Sequence, residues 1–134
     1  MPSLEFDLEH AYPDDPARGI EVPVLLELGD RNTRCLAHVD TGAGYCIFRS
    51  DYAELLGLDV EQGTPIRVIG AGGGVVDAYG HMMTVEVLGH RVDSQIYFTR
   101  NAEFRRNVLG RQGWLHHFKF GLLHYESKLY LGSL

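Results

Sequence analysis

Asp40 stands between two apolar runs in the stretch RCLAHVDTGAGYCIF, residues 34 to 48. Thr33 to Val39 alternate in polarity, with Cys35, Ala37 and Val39 on one face, and Cys46-Ile47-Phe48 resume a short buried strand. Between them Thr41-Gly42-Ala43-Gly44 makes a turn. Burying a carboxylate is costly unless it is paired, hydrogen-bonded or protonated. Two readings follow from the residues alone. Asp40 is a solvated turn residue capping its own loop, a common arrangement, or it is a carboxylate held in place for acid–base chemistry.

The elements that must position Asp40 are strands. Ile20, Val22, Val24, Leu26 and Leu28 share one parity, the period-two pattern of a half-buried strand. Pro23 cannot donate to a ladder, so this strand is expected at an edge or with an irregular start. SDYAELLGL reads as one short helix, with Ser50 or Asp51 as N-cap and Gly57 as its stop. IRVIG and GVVDAYG read as two strands around a glycine tip. MMTVEVLGHRVDSQIYF reads as a hairpin turning at Gly89-His90, with Met83, Val85 and Val87 inward. RNVLGRQGWLHHF predicts a buried strand, a Gly-Arg turn and a short helix whose core side is Trp114, Leu115 and Phe118. KFGLLHYESKLYLGSL predicts a last hairpin turning near Glu126-Ser127. Many short strands, two short helices and no βαβ rhythm make the class mostly β. Residues 1–18, rich in proline and acids, read as an N-terminal arm or tail, leaving 19–134 as one domain.

Composition excludes several functions. The chain has 134 residues, 45% of them hydrophobic, and a formal charge of −6. No basic stripe is visible, which argues against a nucleic-acid partner. The acidic start has no long apolar run, so neither a secretory leader nor a membrane span is expected, and the expected location is cytoplasmic. Cys35 and Cys46 read as two small buried thiols, not as a disulfide framework.

A second motif raises the weight of the first. Apolar residues precede Asp40-Thr41-Gly42, small residues follow it, and NVLGRQGWL comes later in the chain. With both motifs in this order, residues 20 to 132 resemble a retropepsin-like aspartic protease, nearest to cellular and bacterial members. The resemblance implies a single-lobe, closed β-barrel with a flap hairpin. It also implies an aspartic endopeptidase without a cofactor or metal, acting on a peptide or protein substrate. Such chemistry needs one group to deprotonate water and another to protonate the carbonyl oxygen, and two carboxylates sharing one proton supply both. This chain has one Asp-Thr-Gly, so the resemblance implies a homodimer with the second Asp40 across a two-fold axis.

The residue roles follow from the same likeness. Asp40, Thr41 and Gly42 would form the catalytic loop, with Thr41 bracing the two loops across the axis. Ala43 and Gly44 would line the substrate groove. Val108, Leu109 and Gly110 would pass beneath the loop, and Arg111 would tie down the following helix. Viral members often carry an acid at the position of Gly44 that pairs with this arginine, so here Arg111 must find another partner. Ala71, Gly72, Gly73 and Gly74, at the tip of a hairpin, would form the flap. As a phosphate loop GAGGG fails, because Val75 occupies the last glycine position and no helix follows. An actin-like ATPase, which also uses an Asp-x-Gly loop, would need two lobes. The alternative outside catalysis is a silent peptide-binding or dimerisation module of the same fold.

The seven histidines invite a metal reading. His116 and His117 are neighbours on the expected helix and should point apart, which ill suits one ion. His38, His81, His90 and His124 are expected on turns or exposed strand faces.

Overall fold

The alternation around Asp40 becomes part of a closed ring of strands in the computed structural model, which describes residues 1–69 and 73–134. The strands of the ring are β2 (Glu21–Leu28), β3 (Arg31–Val39), β8 (Val108–Leu109), β4 (Ile47–Arg49), β7 (His90–Thr99) and β6 (Val75–Val87), and β5 (Thr64–Ile69) extends it beyond β6. Pairing of Val24–Glu27 with Thr84–Val87 joins β2 back to β6 and closes the barrel. Closure leaves β2 with two neighbours instead of an edge. Pairing with β6 begins only at Val24, so Pro23 has β3 alone as its neighbour and meets the expected edge locally, while β2 starts in regular register with β3 from Glu21.

The inward parity is as the alternation predicts. Val22, Val24, Leu26, Ala37, Met83, Val85 and Val87 are all buried, and they meet Phe48, Phe98, Ile96 and Trp114 in one core. Burial of this kind contributes about 1.5–3 kcal/mol for each large apolar side chain. The two strands expected after the glycine tip are one continuous β6. It pairs with β5 through its first half and with β7 and β2 further on. The β6–β7 hairpin turns on Leu88 and Gly89, one residue earlier than expected; both have positive φ, 53° and 86°. Paired left-handed residues match the twist of the flanking strands.

The helices are shorter than the sequence suggests. α1 (Ser50–Leu55) starts from Arg49 with no side-chain cap, although Ser50 and Asp51 were the expected N-caps. Gly57, with φ +75°, does end it. After Trp114 there is only a single 3₁₀ turn, Leu115–His117. Gly113 at φ +105° and Trp114 at φ −140° are non-helical, so no α-helix can begin there. Of the expected core side of this turn, Trp114 is fully buried while Leu115 and Phe118 are half-buried.

Regular structure also begins earlier than expected. Within 1–18, β1 (Leu8–Ala11) pairs with β10 (Lys128–Ser133), which pairs in turn with β9 (Phe118–Leu123). Tyr12 follows β1 into the core, 5% exposed, and its hydroxyl lies 2.7 Å from His124 Nδ1. Four residues of alternation are too few to show against a proline-rich background; the strand is specified by the partner that pairs with it. Among the described residues no helix is long and apolar enough to cross a membrane.

Tyr12 tests whether this segment is integral. Tyr12→Ala should lower unfolding stability by about 3 kcal/mol in urea titration, the cost of truncating a buried aromatic. A change below about 0.5 kcal/mol, typical of surface positions, would mark residues 1–18 as an appended tail.

Candidate active site

The two strands that enter and leave the Asp40 loop do not pair with each other. β8 lies between them, parallel to β3 (His38 opposite Val108, Val39 opposite Leu109) and antiparallel to β4 at Ile47. The Asp40 amide donates to the Leu109 carbonyl at 3.0 Å. Beyond Asp40, the Gly42 amide donates to Asp40 Oδ1 at 2.8 Å and the Ala43 amide to the Asp40 carbonyl at 3.2 Å. The loop is thus folded around its own carboxylate. Asp40, Thr41 and Gly42 are all exposed on the single chain, so the carboxylate between two apolar runs is not buried by its own fold.

The outgoing half of the loop is held as firmly. The Arg111 amide donates to the Ala43 carbonyl and the Gln112 amide to the Gly44 carbonyl, both at 2.9 Å. Gly110 is fully enclosed here: a Cβ on it would overlap the Tyr45 carbonyl and lie 2.8 Å from the Ala43 carbonyl. Only glycine allows that approach. Ala43 and Gly44 are half-buried, and their carbonyls serve the loop's own support.

Arg111 finds its partner in the backbone. Its Nη1 donates to the Thr41 carbonyl at 2.9 Å, directly beside Asp40 in sequence. Its Nη2 lies 3.9 Å from where a Cβ of residue 44 would stand. With no acid at Gly44, the guanidinium braces the loop through a carbonyl.

Cys46 closes the loop from below. Its sulfur accepts from the Gly110 amide at 3.3 Å, and burial pushes the thiol up to about 12, keeping it neutral. Burial likewise pushes Cys35 up to about 12.

Three residues of this region escape the motif-based reading. Asn107, buried, receives the Arg49 amide on Oδ1 and donates from Nδ2 to the Leu36 carbonyl, each at 3.0 Å, joining β3 and β4 across β8. His38 has the parity of Asp40 and shares with it a cavity of 490 Å³, together with Tyr12, Asp14 and Arg106. Burial first, and then the Arg106 charge, holds the His38 imidazole below its usual value, while Glu21 and Asp40 pull the other way. Arg106 donates from Nη2 to the Ala17 carbonyl at 2.7 Å. The signal was present: an asparagine directly before VLGR, and a histidine two residues before the aspartate.

The histidines are joints more than bland surface groups. His81 Nε2 lies 2.9 Å from the Val60 carbonyl, His90 contacts Asp7, and His124 contacts Tyr12. His116 and His117, expected to diverge, have ring centroids 4.1 Å apart, because the 3₁₀ turn replaces the helix. Among the described residues no three His, Cys, Asp or Glu side chains gather as a metal site would require.

The flap tip is only partly described. Ala71 and Gly72 lie outside the described residues. Gly73, with φ +82°, and Gly74 have open space around them, and the hairpin is paired up to Ile69 opposite Val75. Ile69 is 79% exposed and Val75 is 55% exposed, so the strand ends next to the tip show apolar surface.

A family model described as "Aspartyl protease" matches residues 24–112. Among solved structures, the fold is similar to that of a retropepsin-like aspartic protease from Rickettsia conorii. That likeness has 18% identity and a TM-score of 0.66, and covers 92% of this chain and 98% of that one. A comparison with curated proteins finds no match.

Gly110→Ala should displace the Asp40 loop and lower stability by about 1–3 kcal/mol, the usual cost of overpacking. Amide chemical shifts of residues 40–44 should move well beyond those of β9 and β10. Unchanged shifts at 40–44 would show that the loop is not held through Gly110.

Proposed function

The chain belongs to the aspartyl protease family, and we propose that it is an aspartic endopeptidase working as a homodimer. The observation that supports this reading is the exposed Asp40, presented once per chain on a loop tied down by β8 and Arg111. One ionised carboxylate can take a proton from water, but it cannot also donate one to the substrate oxygen. A second Asp40 from a partner chain provides the missing acid. The ionised member removes a proton from water as its oxygen attacks the peptide carbonyl carbon. The protonated member gives its proton to the carbonyl oxygen. In the collapse of the tetrahedral diol, the carboxyl that took water's proton gives it to the leaving nitrogen, the other carboxylate takes a diol hydroxyl proton, and the C–N bond breaks. Two like charges so close cannot both ionise easily, so the pair keeps the shared proton it needs.

The supporting parts have roles in the same reading. The Gly42 amide holds one Asp40 oxygen and orients the carboxylate. Thr41 braces its counterpart across the two-fold axis. Gly73 and Gly74, the described part of the expected flap, would lie over the peptide, with Ile69 and Val75 offering apolar contact.

Asp40→Asn should abolish cleavage of a peptide library, with thermal melting and sedimentation of the variant unchanged. It removes the base while keeping the shape of the side chain. Residual turnover at the level of the unsubstituted protein would place the chemistry elsewhere, and normal peptide binding without any turnover in the parent would favour a silent binding module.

Dimerisation supplies an independent test. Specific activity should fall on dilution through the concentration range in which sedimentation shows the dimer dissociating. Full activity in a species that sediments as a monomer would contradict the shared-carboxylate mechanism.

A further inference from the structure

Next to the Asp40 cavity lies a second one of 460 Å³, lined by Arg18, Arg49, Arg105, Arg106 and His38. The two cavities share His38 and Arg106. In a chain of net charge −6, four guanidinium groups around one hollow call for an explanation. Two of the four are already compensated: Arg18 pairs with Glu21 at 2.8 Å, and Arg49 pairs with Asp51 at 3.1 Å. The other two are not. Arg106 donates to a neutral carbonyl, that of Ala17, and Arg105 has no hydrogen-bond partner among the described residues. Glu21 is the acid lining this hollow, and its negative charge is taken up by Arg18, with His38 Nε2 3.6 Å away on its other oxygen.

The basic loop is also fixed in place. Buried Asn107 follows Arg106 directly and is bonded on both sides, to the Arg49 amide and the Leu36 carbonyl. The two arginines therefore project from the same rigid support that holds β8 under Asp40. A preorganised guanidinium loses little on binding and matches a carboxylate with two parallel hydrogen bonds. On the Asp40 side, by contrast, Asp14 and Asp15 line the first cavity and would repel an anion.

We infer that the hollow between Arg105, Arg106 and Arg49 is a subsite for an acidic side chain of the peptide substrate, near the scissile bond. This rests on the endopeptidase reading, since it places a peptide across Asp40. A peptide whose backbone runs over Asp40 reaches the hollow past His38 and sets an aspartate or glutamate against Arg106. Its carboxylate stays ionised there, because the guanidinium groups keep their charge at any pH the protein survives. A nucleic acid is disfavoured, because the arginines gather in a single hollow and not along a stripe.

The test uses the intact protein and a peptide selected from a library for cleavage. The peptide is resynthesised with Glu, Gln or Lys at each of the three residues on either side of the cleaved bond. At one position Glu should exceed Gln in kcat/KM by about tenfold or more, the effect expected of a charge-assisted pair. Arg106→Gln should bring that ratio to near one, and Arg106→Glu should turn the preference toward Lys. Arg105→Gln, which disturbs no internal bond, should reduce the ratio as well and serves where loss of the Ala17 contact loosens the fold. Equal losses for all three peptides would show Arg106 to be merely structural and would overturn the inference, as would a parent protein indifferent to Glu. If no library peptide is cleaved, labelled peptides of otherwise random sequence with Glu, Gln or Lys fixed at one central position are used instead, and their binding is measured by fluorescence anisotropy. Tighter binding of the Glu peptide, erased by Arg106→Gln, would keep the subsite while the endopeptidase reading falls. Equal binding would overturn the subsite. Thermal protection by inorganic phosphate without discrimination among the peptides would also overturn it, assigning the hollow to a free anion.

Discussion

The strands on either side of Asp40 depend on a third, because neither can satisfy the other's backbone groups. β8 contributes only Val108 and Leu109, yet it pairs with both strands, and its Leu109 carbonyl takes the Asp40 amide. Buried amides and carbonyls must be paired, so this insertion dictates much of what surrounds it. Residue 110 must lack a side chain, because it passes against the carbonyls of Ala43 and Tyr45. Residue 46 must be small, because its sulfur sits against the Gly110 amide. Asn107 extends the same logic with its side chain, which bonds Arg49 and Leu36 while its own carbonyl takes the His38 amide. A flexible carboxylate loop thereby becomes a rigid one.

That rigidity explains which parts of the molecule are legible in the sequence. The parity of β2, β3 and β6 is written in nearly every second residue, since each strand turns one face to the core, Leu25 of β2 being buried on the other. Asp40-Thr41-Gly42 and Val108-Leu109-Gly110-Arg111 are legible because tight backbone approaches admit few residue types. β1 is not legible: it is four residues long, and its register comes from β10 at the far end of the chain. The partner of Arg111 is hidden for a similar reason. A carbonyl acceptor leaves no trace in residue identity, whereas an acid at position 44 would have. The turn after Trp114 reads as a helix by composition, but Gly113 in a left-handed conformation prevents it. The histidine contacts are invisible because each joins segments distant in sequence.

Charge in this chain acts on two length scales. At long range a formal charge of −6 repels acidic molecules. Within about 8 Å of the arginine-lined hollow, the screening length at physiological salt, Arg105 and Arg106 weigh more than that distant charge. Moderate salt therefore weakens the general repulsion more than it weakens a direct guanidinium–carboxylate contact in a partly enclosed hollow.

The pairing of β1 with β10 has a bearing on how the chain acquires its shape during synthesis. Residues 8–11 leave the ribosome early, but their hydrogen-bonding edge has no partner until residues 128–133 follow. Within the barrel, β2–β3 and β5–β6–β7 are hairpins that can zip locally, β2–β6, β4–β7 and β3–β8 close over longer stretches of chain, and the small sheet waits for a closure across the whole domain. Long-range closures of this kind are slow and leave strand edges uncovered meanwhile. Until β10 arrives, Tyr12 lacks both its core neighbours Leu129 and Leu131 and its histidine. A ribosome-stalled or C-terminally clipped chain would thus hold a formed Asp40 loop beside an unsealed floor, the state most exposed to chaperones and to degradation.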